Sequence, residues 1–172
     1  MDILQVIRER RSIRSFKARE IPPEALQALE EALIWAPSAG NLQARRFFFV
    51  TQRPLKEALA VAALGQSFVA QAPLVVVGCA DHGRIAPRYG RRGVELYAVQ
   101  DVACSLMCMM LQAHALGLGT VWVGAFREEE AAKALGLPPE LRPVALVPVG
   151  YPEHVPRSAP PRLPKEELIF YL

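Results

Sequence analysis

The stretch VELYAVQDVACSLMCMMLQAHALGLGTVWV, residues 94–123, decides the architecture. Residues 94–116 are apolar on nearly every side of a helix about six turns long. Such a helix has no solvent face, so it lies in the centre of the molecule or at a subunit interface. Gly117-Leu118-Gly119 stops it, because glycine accepts the left-handed backbone that closes a helix. Residues 120–123, Thr-Val-Trp-Val, then read as a strand. A buried helix feeding directly into a strand is therefore the centre from which the rest is read.

Upstream, Asp2 is placed to cap a short helix with Ile3, Val6 and Ile7 on one face. Residues 12–16 look extended, which would point Ser12 and Arg14 the same way. Pro22 and Pro23 open a second helix with Leu26, Leu29, Ala32 and Leu33 at helical spacing, and Pro37 ends it. A strand is predicted at 47–51, a helix at 54–64 and a buried strand at 74–78. Residues 81–93, with Arg84, Arg88, Tyr89, Arg91 and Arg92, read as a loop. A helix at 128–135 and a last strand at 144–149 follow. From Tyr151 the chain is rich in proline, at 152, 156, 160, 161 and 164. Such a tail packs poorly on itself and suits wrapping something else. Alternating helices and strands suggest an α/β sheet, but two helices before the first strand fit a doubly wound fold less well.

The chain has 172 residues, 52% of them hydrophobic and 22% charged, enough for one domain with a core. Its longest apolar run is about ten residues, half of what a membrane span needs. The charged N-terminus does not read as a signal peptide. These features predict a protein that stays inside the cell. Cys79, Cys104 and Cys108 do not form a disulfide framework and read as small buried core residues. A net charge of +3 is too weak a signal for a nucleic-acid module built on the arginines of 8–14 and 84–92. Sixteen of the 20 basic residues are arginine. That suits bidentate contacts with phosphate and carboxylate, and a GC-rich genome would give the same bias. The single asparagine, Asn41, and the 15 prolines fit either heat adaptation or codon bias.

Several chemistries are absent. Trp122 stands where a G-x-G-x-x-G fingerprint beginning at Gly117 needs its third glycine, and no P-loop exists. No serine lies in G-x-S-x-G. His82, His114 and His154 are scattered, and His114, on the apolar helix, reads as a satisfied core histidine. Without a side-chain acid/base machine, a cofactor could carry the chemistry. Arg10, Ser12 and Arg14 are either a solvated basic face or an anion cradle. Ser38, Gly40 and Asn41 are either a turn or a close backbone approach to a planar ligand.

Four segments together resemble the FMN-dependent nitroreductase family. They are Arg10-Arg11-Ser12-Ile13-Arg14-Ser15-Phe16, Ala36-Pro37-Ser38-Ala39-Gly40-Asn41-Leu42-Gln43, the run from Ala115 to Phe126, and Pro161-Arg162-Leu163-Pro164 with Glu166-Glu167-Leu168. They occur in order across nearly the whole chain. The resemblance implies an α+β fold with a mixed central β-sheet flanked by helices, one domain over 1–172. It implies a domain-exchanged homodimer with FMN at the interface and residues 151–172 as an arm reaching the partner.

By the same resemblance, Arg10 and Arg162 face the FMN phosphate, with Arg11 and Ser12 beside it. Arg14 lies near the N1 and O2 edge of the flavin. Pro37, Ser38, Ala39 and Asn41 come from the other subunit, with Gln43 nearby. Trp122, Val123, Gly124 and Ala125 lie along the ring, a backbone N–H of Gly124 or Ala125 facing N5 and O4. No side chain is catalytic and no metal is involved. NADH or NADPH gives hydride to flavin N5, and a small acceptor (nitroaromatic, quinone or flavin) takes it in a second step. The expected setting is cytoplasmic, without nucleic acid or membrane. A flavin sensor or store without turnover, or a flavin-destroying relative, remains open. Pro160 stands where many relatives carry a lysine, which removes one phosphate contact. The short segment before the long helix leaves the acceptor pocket open.

Overall fold

The computed structural model describes residues 2–156 and 158–172; Met1 and Arg157, the latter within the expected arm, lie outside the described residues. The chain runs through α1 (Ile3–Glu9), α2 (Pro23–Ile34), β1 (Arg45–Val50), α3 (Arg53–Ala62), α4 (Phe68–Gln71), β2 (Leu74–Asp81), α5 (His82–Arg92), a π-helical turn (Gly93–Tyr97), α6 (Ala98–Ala115), β3 (Gly119–Thr120), α7 (Glu128–Leu135) and β4 (Leu141–Gly150). The sheet order is β1-β2-β4-β3, and every pairing of named strands is antiparallel. The parallel component is the bridge between Ser12 and Thr120. This is an α+β fold, with helices on both faces of one sheet.

β2 is buried along its whole length, and its Val75, Val76 and Val77 alternate between two cores. Val76 joins Leu29, Leu106, Met109 and Val147 on the α2–α6 side. Val75 and Val77 join Leu59, Val69, Ala131 and Leu146 under α3, α4 and α7. β-Branched side chains suit a strand covered on both faces. α6 lies against α2 and the sheet, with Val102, Leu106, Met109 and Met110 fully buried.

Three local expectations change. The segment 81–93 is a helix rather than a loop. Asp81 caps it by accepting from the Arg84 N–H at 3.0 Å, Ile85 is fully buried and Tyr89 packs on the same core. Dense arginine and Pro87 hide that apolar pair in the sequence. The strand expected at 120–123 shortens to Gly119–Thr120, with Val123 bridging Leu146. Asp2 stands at the first cap position but makes no side-chain cap bond, and only Val6 of its helix face is buried.

Cys79 is buried, and burial pushes its thiol up to about 12. Cys104 is exposed and Cys108 half-buried, against the expectation of core residues. Their four-residue spacing puts both on the stripe of α6 turned away from α2 and the sheet. From His82 to Ala115 the helical run of 34 residues is long and apolar enough to cross a membrane, although the sequence predicts no span. Within the chain, α2 and the sheet cover one side of it, and 39% of its most apolar window is buried.

α6 approaches the sheet closely at Gly78, where an added Cβ would lie 2.7 Å from Val102 Cγ1 and 2.8 Å from Leu106 Cδ1. Gly78→Ala therefore lowers stability by about 1–3 kcal/mol through overpacking. A urea titration reads this as a lower midpoint with an unchanged slope. An unchanged midpoint would mean that α6 is free to move off the sheet.

Candidate functional site

After α1 the chain runs extended and crosses β3. Ile13 donates its N–H to the Thr120 carbonyl at 2.9 Å, and Ile13 is buried while Ser12 and Arg14 are exposed. A Cβ at Gly119 would sit 2.6 Å from Ile13, so this crossing requires glycine. The crossing brings Arg10 and Arg11 to the C-terminal end of α6. There they line a cavity of about 270 Å³ with His114, Gly119, Thr120 and Pro152.

Arg10 Nη1 is buried with no hydrogen-bond partner among the described residues, and so is His114 Nε2. Burial, then the charges of Arg162 and Arg11, hold the Arg10 pKa below its ordinary value. Arg162 itself is exposed and donates to the Pro160 and Pro161 carbonyls. Arginines that repel one another around an unpaired guanidinium nitrogen make a site for an anion, where charge-assisted bonds would satisfy them. Arg10 is half-buried with its Nη1 closed off, which favours the anion cradle over a fully solvated face. The reading of His114 as a satisfied core residue is corrected: it stands in the last turn of α6, lines the cavity, and its buried Nε2 has no partner among the described residues.

The segment 37–43 lies elsewhere. Gly40, Asn41 and Gln43 adopt φ of 55°, 56° and 53°. A non-glycine residue held there costs about 1–3 kcal/mol, so the surroundings must enforce the conformation. Gln43 donates its N–H to Ser38 Oγ at 3.0 Å, and Ala39 donates its N–H to Asp101 Oδ1 at 2.9 Å. Arg45, only 6% exposed, donates to the carbonyls of Ile34 (3.1 Å), Ala36 (2.7 Å) and Pro37 (2.8 Å). It thereby satisfies the open C-terminal end of α2. Burial lowers the Arg45 pKa while Asp101 opposes the shift. Pro37, Gly40, Asn41 and Gln43 are exposed, and Ser38 and Ala39 half-buried.

Asp101 and His114 stand 13 residues apart on one straight helix, roughly 20 Å at 1.5 Å per residue. The structure thus brings Arg10, Arg11, Ser12 and Arg162 to one end of α6. Pro37, Ser38, Ala39, Asn41 and Gln43 are held at the other. Trp122, Gly124 and Ala125 continue from β3 and are exposed, whereas Val123 points into the core and spends its N–H on Leu146 at 2.9 Å. The Gly124 and Ala125 amides donate to nothing among the described residues. Sequence reasoning missed Arg45, Asp101 and Thr120. Asp101, a lone acid in an apolar helix, was the available signal.

The chain is an α+β domain with an arginine-lined cavity at one end of its central helix and a polar loop at the other. Residues 7–82 and 58–151 match the family model described as Nitroreductase family, and the chain belongs to that family. It is 32% identical to the FMN reductase [NAD(P)H] of Bacillus subtilis, over 96% of this chain and 71% of that protein. It is also 32% identical to an NADH dehydrogenase of Thermus thermophilus, covering 95% and 92%. The structure of the NADPH:FMN oxidoreductase from Vibrio harveyi complexed with NAD+ superposes with a TM-score of 0.90, at 27% identity, over 98% of this chain and 76% of that one.

Replacing Arg45 with methionine keeps the bulk and removes every donor to the Ile34–Pro37 carbonyls. Arg45→Met should cost at least about 2 kcal/mol and speed hydrogen exchange at the Ala39 and Gln43 amides ahead of the sheet. Equal exchange in loop and sheet would show that Arg45 does not hold the loop.

Proposed function

We propose that this chain is an FMN-dependent NAD(P)H oxidoreductase acting as a homodimer on a small acceptor. The observation that carries the reading is that Arg10, whose buried Nη1 is unpaired among the described residues, lines a cavity with Arg11 and lies close to Arg162. These residues fit the phosphate of FMN, and membership of a family with relatives named FMN reductase and NADPH-flavin oxidoreductase supports the choice. When bound, FMN would supply the two-electron chemistry that links NADH or NADPH to a nitroaromatic, quinone or flavin acceptor. Donor and acceptor use one place in turn, in a ping-pong order. Dependence on NAD(P)H fits a cytoplasmic enzyme.

The chain's own residues bind and orient. Arg10, Arg162 and Ser12 hold the phosphate, with Arg11 reinforcing the positive field. Arg14, on the same side of the extended segment as Ser12, is assigned to the N1 and O2 edge, where a fixed guanidinium favours the electron-rich reduced state. The free Gly124 and Ala125 amides are assigned to N5 and O4, with Trp122 along the ring and Val123 anchoring the strand beneath.

Pro37, Ser38, Ala39, Asn41 and Gln43 cannot reach their own chain's cavity along α6, so they are assigned to the site of the second copy. The surface supports that assignment. Residues 153–156 and 158–172 are exposed throughout, ending in the apolar run 168–172. Trp35 is 83% exposed, and Ile3, Ile7 and Met107 are also bare. An arm with no core of its own and a helix with an uncovered apolar stripe both gain from a partner. Light scattering on the flavin-loaded protein at low concentration should give a dimer. A monodisperse flavin-loaded monomer would overturn the shared site.

The protein should purify yellow, release FMN rather than FAD on denaturation, and bleach with NADH or NADPH. A flavin that stays oxidised with both donors would instead mark a sensor or store. The two arginines separate by readout. Arg10→Gln weakens FMN binding with little change in midpoint potential. Arg14→Gln lowers the potential and slows hydride uptake with oxidised FMN still bound. A charge-assisted bond contributes about 1.5–3 kcal/mol, and about 30 mV corresponds to 1.4 kcal/mol in a two-electron couple, so both effects are measurable. If both variants change affinity alone, Arg14 is only another phosphate ligand.

A further inference from the structure

We propose that His114 is a further donor to the cofactor's phosphate and that it sharpens the site's preference for FMN over riboflavin. This rests on reading the cavity as the phosphate site. Two of the residues that line the cavity, Arg10 and His114, each carry a buried side-chain nitrogen without a partner among the described residues, Nη1 and Nε2. An unpaired buried nitrogen destabilises the fold; His82 Nε2 is in the same state elsewhere, and what sets His114 apart is that it shares a cavity lining with Arg10. Two such nitrogens on one small space are explained together by a ligand with several acceptor atoms. A phosphate has three terminal oxygens, enough for Arg10, Arg162 and His114 at once.

The position of His114 adds a second argument. It lies in the last turn of α6, whose C-terminal end faces the cavity. That end carries the negative pole of the helix and disfavours an anion. A donor side chain in the last turn offsets the unfavourable pole and explains how phosphate could sit there. The tail supplies little else, because Pro160, two places before Arg162, has no side-chain donor. The other charged groups at this wall are Glu9, Arg10 and Arg11 at the end of α1, with Arg162 from the tail close enough to perturb Arg10. Glu9 is exposed and accepts from Gln5 Nε2 at 3.0 Å. The imidazole is therefore the one group of the α6 end that can donate into the cavity through its side chain.

The test measures the affinities of the flavin-free protein for FMN and for riboflavin, in the wild type, His114→Leu and His114→Gln. The FMN-to-riboflavin ratio reads the phosphate contact alone and does not depend on the folded fraction. His114→Leu should lower that ratio about tenfold, the scale of one charge-assisted bond, with riboflavin affinity unchanged. His114→Gln, whose amide can still donate, should recover part of it. A ratio left unchanged by His114→Leu overturns the inference and leaves the FMN site standing. So does an equal loss for both flavins, which would place His114 against another part of the molecule. A wild-type protein that binds riboflavin as tightly as FMN overturns the phosphate site itself.

Discussion

A helix packed on a sheet fixes the distance between its ends, and the two halves of the candidate site hang from opposite ends of α6. Its middle is seated tightly, because a Cβ at Gly78 would overlap Val102 Cγ1 at 2.7 Å and Leu106 Cδ1 at 2.8 Å. Its early turns present Asp101 to the Ala39 amide. Its last turn presents His114 to the cavity lined by Arg10 and Thr120. Side-chain motion of a few ångström does not close a gap of roughly 20 Å. Polar loop and cationic cavity are thus each rigid and kept apart within one chain. In the proposed dimer, this rigidity is what makes a shared site possible, since each protomer offers a finished half.

The periodic elements were legible in the sequence. Residues 128–135 form the helix expected there, and the apolar helix before Gly117 is the central one. The failures have physical causes. At 81–93 the solvent face of a helix carries so much arginine that it masks Ile85 and Tyr89, four residues apart on the buried face. The cysteines were misplaced because apolar composition tells how buried a helix will be in its final assembly, not which stripe its own chain covers. Arg45 was invisible because nothing local marks it. Its role is to close the C-terminal end of a helix that ended eleven residues earlier, a contact that only the fold creates.

At the site, the sequence left two readings of Arg10, Ser12 and Arg14, and burial separates them by residue. Arg10 loses water at Nη1, which favours the cradle reading. Arg14 and Ser12 stay exposed, so their assignment rests on lying along the same side of the strand. The family motif around Asn41 acquires a reason in the backbone. Three of the four residues 40–43 are left-handed, and asparagine is the side chain that tolerates that region best after glycine. A chain with a single asparagine places it where its conformational tolerance is used.

Arginine rather than lysine at the cavity follows from the same burial. Desolvation lowers Arg10 and, elsewhere, Lys56, because both lose favourable hydration of the charged form. A guanidinium starts at least about two pH units above an ammonium, so a comparable penalty leaves it charged. It also has five donors, so it can meet a phosphate and still have a nitrogen for the protein. Cations gathered without a counter-ion destabilise the empty fold, and an anion that binds only the folded state stabilises it in proportion to ln(1 + [L]/Kd). An anion bound beside Arg10 would relieve the repulsion that Arg162 and Arg11 exert on it, so in the proposed site cofactor affinity and fold stability are coupled through these side chains.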